Sequence, residues 1–159
     1  VVGAAAFAKA VELAKDEHIT RMKALRDHLI SRIENEIPDS RLNGPRGDKR
    51  LCNNVNFVFK YIEGEAMLLH MDMRGVAVST GSACSSQSLR PSHVLLAIGL
   101  HPAAAHGSVR LTLGRENTQE EIDYAVDQLK EVVATLRKIS PLYSEGTDAG
   151  REKKEKTTG

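Results

Sequence analysis

Between residues 118 and 139 the apolar residues Ile122, Ala125, Val126, Leu129, Val132, Val133, Leu136 and Ile139 recur three and four apart. "TQEE" at residues 118–121, just ahead of them, has the spacing of a capping box. A helix of this length with a single apolar stripe cannot stand alone, because the stripe must be covered by a second layer. Met22, Leu25, Leu29, Ile33 and Ile37 form a second such stripe, with Lys23, Arg26, Asp27, Arg32 and Glu34 between them and Pro38 as the stop. The Ala-rich stretch before Glu12 either continues that helix or forms one of its own.

The period changes between the two stripes. In "NNVNFVFKY" Val55, Phe57 and Phe59 alternate with Asn56, Val58 and Lys60, and in "GSVRLTLG" Val109, Leu111 and Leu113 alternate with Arg110 and Thr112. Both read as strands with two unlike faces. "VAVS" is a brief third strand. "EGEAMLLHMDMRG" reads as a short helix closed by Gly75, and "SHVLLAIG" as another, started at Pro91 and Ser92 with Gly99 near its end. "NGPRGDK" is a turn-rich loop. The order is helix, strand, helix, strand, helix, strand, helix. It predicts an α/β (α+β) fold of two layers, a small sheet packed with helices, with the strand order left open.

A chain of 159 residues suits one domain, and 41% apolar with 27% charged residues is ordinary for a globular protein. A net charge of +1 offers no basic field for nucleic acid or a membrane surface, and no apolar run reaches the ~20 residues that span a bilayer. "VVGAAAFAKAVELAKDEH" does not read as a secretory signal, so a cytoplasmic home is expected. Beyond Tyr143, "SEGTDAGREKKEKTTG" has no large apolar side chain and is expected to be a disordered tail at residues 144–159.

Cys84 is the residue that calls for a chemical explanation. It sits in "STGSACSSQS", among glycine, serine and alanine rather than inside an apolar pattern. A thiol on such a loop could be carried to a reacting centre, or could be a surface cysteine without a task; the residues alone leave both open. Cys52, in "RLCNNVNF", reads as a packing residue. Arg110 stands mid-strand opposite three aliphatic residues, where its fork would suit a carboxylate, or simply face solvent. Arg115 could take the same role or pair with Glu116 or Glu120. The six histidines share no ligand spacing with carboxylates or thiols, so no metal site is expected.

"YIEGEAMLLHMDMRGVAVSTGSACSSQSLRPSHVLLAIGL", followed by "AHGSVRLTLGRENTQEEIDYAVDQL" and "LRKISPLY", closely resembles cysteine desulfurases of the NifS/IscS type. The resemblance reaches back through the first helix and spares only the tail. It implies a pyridoxal-phosphate (PLP) enzyme of aminotransferase class V and transferase fold type I, a homodimer that takes sulfur from L-cysteine and leaves L-alanine. Cys84 matches the loop nucleophile that carries the sulfur as a persulfide to an iron–sulfur scaffold or another sulfur-acceptor protein. Arg110, in "SVRLTLG", matches the position that holds the substrate carboxylate, with Arg115 as second choice. Selenocysteine lyase or cystathionine-type cleavage on a related scaffold fits the cysteine loop less well.

One departure is large. Members of that family are more than twice this length, and the His-Lys pair that supplies their PLP lysine is absent here. The expectation is therefore that residues 1–143 form a C-terminal small domain including the helix that joins it to a larger one, inactive in isolation. The alternative is a noncatalytic module that pairs with an intact desulfurase or relays sulfur. Val1, Val2 and Phe7 would then lack partners, and self-association is expected.

Overall fold

The computed structural model describes residues 2–13, 16–80 and 91–143. Cys84 and the expected tail at 144–159 lie outside the described residues. The elements are α1 (Val2–Leu13), α2 (Asp16–Glu36), β1 (Ser40–Leu42), β2 (Asn54–Phe59), α3 (Gly64–Asp72), β3 (Ser79–Thr80), α4 (His93–Ala97), α5 (Pro102–His106), β4 (Ser108–Thr112) and α6 (Gln119–Ile139), with a 3-10 turn at Gly47–Lys49. The strands form one four-stranded sheet in the order β1-β2-β4-β3, with every neighbouring pair antiparallel.

The two-period strands have the two faces expected of them. Val55, Phe57 and Phe59 on β2 and Val109 and Leu111 on β4 are buried against Leu29, Ile33, Met67, Met71, Val126 and Leu129 of α2, α3 and α6. Removing a side chain the size of Phe57 from water stabilises the fold by roughly 1.5–3 kcal/mol. The capping box forms as the spacing predicts: Thr118 Oγ1 accepts from Glu121 N at 3.2 Å, and Glu121 Oε2 accepts from Thr118 N at 3.2 Å. Gly75 takes φ +74°, the left-handed turn that ends α3. The Ala-rich stretch is helical as α1, and its residues 2–11 are all exposed, Phe7 to 72%; residues 14–15, between it and α2, lie outside the described residues.

Several expectations are corrected. β1 follows Pro38 directly and α5 is seeded by Pro102; both are too short for a periodic signal. The "VAVS" strand is reduced to Ser79–Thr80. Ile139 is 74% exposed, one turn past the end of the buried stripe. Arg26, expected among the solvated charges, is 1% exposed. It lies four residues from Met22 and from Ile30 on the inward side of α2, and Nη1 donates to the carbonyls of Arg50 and Leu51 at 3.2 Å each, which satisfies the buried guanidinium. Cys52 is half-buried and outside the core rather than a packing residue.

Candidate functional site

The described residues fill only part of the sheet face that the long helices do not cover. At one end Leu95, Leu100 and Ala105, from the segment of α4 and α5, close over Val58. Beyond that cover the alternation of β4 turns Arg110 to the same face as its register partner on β2, Asn56, and its partner on β3, Ser79. Arg110 is exposed, and its guanidinium has no hydrogen bond or ion pair among the described residues. It lines a cavity of about 370 Å³ together with Asn43, Lys49, Arg50, Asn56 and Ser92. Leu51, Val94, Leu95 and Ile98 give the same cavity an apolar rim.

The floor is a fixed polar array. Asn43 donates from its backbone N to Asn56 O at 2.8 Å and from Nδ2 to Asn56 Oδ1 at 2.7 Å. Asn43 Oδ1 is buried without a partner among the described residues. Arg50 staples the loop between β1 and β2 by donating to the carbonyls of Pro45, Asn43 and Asn54. Burial, then the nearby cations Arg26 and Arg46, push its pKa down, with Asp27 acting against them.

Arg115 does not share this place. It lies beyond β4, pairs with Glu116 at 2.8 Å, and its carbonyl accepts from Arg21 Nη1 at 3.1 Å. Of the two arginines, then, only Arg110 reaches the cavity. The role given to Cys84 falls outside the described residues, but the flanks of its segment are well placed. Thr80, where β3 ends, pairs with Val109, and Ser92, on the far side of residues 81–90, lines the Arg110 cavity. His28 is engaged elsewhere, with Nε2 2.6 Å from Asp123 Oδ1. Among the described residues no group of His, Cys, Asp and Glu could hold a metal ion, and no helix is long and apolar enough to cross a membrane.

Sequence reasoning passed over Asn43, Lys49 and Arg50, because "NGPRGDK", which ends just before Arg50, reads only as a turn. Asn56 was within reach of it: a polar residue alternating with Val55 and Phe57 has to lie on the uncovered face.

A resident PLP needs an enclosed lysine and a cradle of free backbone N–H groups for its phosphate. The described residues do not provide them. Lys49 stands exposed on the 3-10 turn, the guanidinium of Arg50 is taken up by backbone carbonyls, and the N-terminus of α6 is closed by its own capping box. This surface therefore does not fit the cofactor by itself, and no step through PLP is derived from it.

Residues 1–125 match the family described as aminotransferase class-V. Proteins named cysteine desulfurase IscS are 51% identical over 148 residues in Dictyoglomus turgidum and 50% identical over 147 residues in Clostridium botulinum. These alignments cover 91% and 90% of this chain but 37% of each relative. A solved structure titled NifS-like protein superposes with a TM-score of 0.64 at 28% identity, over 76% of this chain and 29% of its own. A NifS-like protein from Rickettsia africae gives 0.63 at 23% identity, over 75% and 30%, a likeness of fold alone. The chain thus spans little more than a third of the length of the curated relatives it matches.

Proposed function

The chain belongs to the aminotransferase class-V family, and from that premise we propose that it is the small domain of a cysteine desulfurase, with Cys84 as the sulfur-accepting nucleophile and Arg110 as the holder of the substrate carboxylate. The observation that carries this reading is Arg110, without a partner among the described residues, on the sheet face away from the long helices, one register position from the end of the strand that leads into the cysteine segment. Cys84 is four residues on from Thr80, so chain length alone keeps its Cα within about 14 Å of that strand end. A thiol tethered there can meet a substrate whose carboxylate rests on Arg110, and can still be offered to an acceptor outside.

The net change needs no external oxidant. The C–S bond of L-cysteine breaks and an S–S bond to Cys84 forms. The substrate carbon keeps the electron pair and gains the proton that the Cys84 thiol gives up, leaving L-alanine. The family is PLP-dependent in general, and we assign the groups that hold the cofactor to parts of the enzyme beyond the described residues. On this reading α1 belongs to the junction with a larger domain, the enzyme is a homodimer, and an iron–sulfur scaffold or another acceptor protein takes the persulfide.

The test uses the full-length enzyme with L-cysteine. Cys84→Ser is expected to abolish alanine release while leaving the pyridoxal absorbance in place. Arg110→Ala is expected to raise KM for L-cysteine by roughly 10- to 100-fold, the loss of a charge-assisted hydrogen-bonded pair. Undiminished alanine release from Cys84→Ser would sink the assignment.

A further inference from the structure

Around the loop between β1 and β2 the cations fall into two groups. Arg26 has Asp27 at 2.8 Å, Lys23 has Asp48 at 2.7 Å, and Arg46 has Glu34. Lys49, Arg50 and Arg110, which line the cavity, have no carboxylate among the described residues, and no Asp or Glu is among the residues that line it. The sequence between Thr80 and Pro91, "GSACSSQSLR", contains no acidic residue either. At about 370 Å³ the cavity falls within the ~300–1,000 Å³ range of organic-ligand pockets, with more room than one small amino acid fills. One carboxylate on Arg110 would leave the positive field of Lys49 and Arg50 unspent. The donors of Arg50 are largely committed to carbonyls, so among the described residues that line the cavity Lys49 is the cation left to make the second contact.

We propose that this cavity is a site for small organic dianions of the dicarboxylate class, with one carboxylate on Arg110 and the second on Lys49. The proposal rests on the reading of Arg110 as a carboxylate holder. The dianion would occupy the same place as the amino-acid substrate and compete with it.

The probes are succinate and butyrate, a dianion and a monoanion of equal carbon number, titrated into the full chain at constant ionic strength and followed by amide chemical shifts. Succinate is expected to bind more tightly than butyrate, by up to about fivefold, the upper end of what one exposed ion pair supplies. Lys49→Ala is expected to erase that preference without changing butyrate binding, and Lys49→Arg to restore it. Equal affinity for the two probes, or a preference that survives Lys49→Ala, would overturn the proposal. Arg110→Ala tests the other reading separately. Butyrate binding unchanged in that variant would remove Arg110 as the carboxylate holder, whereas loss of the succinate preference in Lys49→Ala alone bears only on the second contact.

Discussion

Side chain by side chain, the charged surface divides into residues with partners and residues waiting for one. His28, Arg32 and Lys130 share Asp123, Asp127 and Glu36 along the seam between α2 and α6. The hydrogen bond from His28, then that from Arg32, holds the Asp123 carboxyl below its usual pKa, and Arg32 does the same to Glu36. A group whose folded pKa is depressed contributes stability above its ordinary value, and that contribution disappears as pH falls through the folded value. The gap in melting temperature between the wild type and Asp123→Asn is thus expected to close as the pH falls below about 4. A gap unchanged down to pH 2 would show that the pair contributes nothing through ionisation. Arg110 is the opposite case, a cation with no partner at all among the described residues. Its strand position was legible in the sequence because β4 alternates so plainly. The burial of Arg26 was not, because it depends on the Arg50 and Leu51 carbonyls, which reach it from a loop more than twenty residues away in sequence.

The elements that show in the sequence are those whose own residues determine them. α6 carries both its cap and its stripe, and β2 and β4 carry strict alternation. β1 and α5 have three and five residues and exist because a neighbour pairs or packs with them, so local pattern could not reveal them, while β3 showed only as the "VAVS" run that overlaps it at Ser79. The arrival of α5 at β4 is an instance. A Cβ at Gly107 would stand 2.6 Å from Phe59 O and 2.9 Å from Ile62 O, both backbone atoms that cannot swing aside. Gly107→Ala is therefore expected to lower the unfolding free energy by about 1–3 kcal/mol, read from the urea midpoint at constant slope. Gly3→Ala on exposed α1, where nothing lies within 4 Å of the added atom, is the control and should be neutral or slightly stabilising. Equal midpoints for the two variants would mean that the turn at Gly107 yields more easily than its contacts imply.

For the molecule as a whole, the division between a filled face and a half-open one determines how copies of the chain would meet. Val2, Phe7 and Val11 of α1 lie open to solvent, and so do Leu51, Val94 and Ile98 at the cavity rim. Sedimentation of the chain is expected to show concentration-dependent association, reduced in a Phe7→Ser, Val11→Ser double variant; a monomer at every concentration would contradict it. The strand edges bear on what kind of aggregate that would be. Among the described residues the outer strands of the sheet are Ser40–Leu42 at one margin and Ser79–Thr80 at the other, both short for templating another chain, and exposed Arg41 sits in the middle of the first. Clumps formed by this protein while folded should accordingly be helix-mediated and reversible on dilution, with no thioflavin fluorescence and no fibrils.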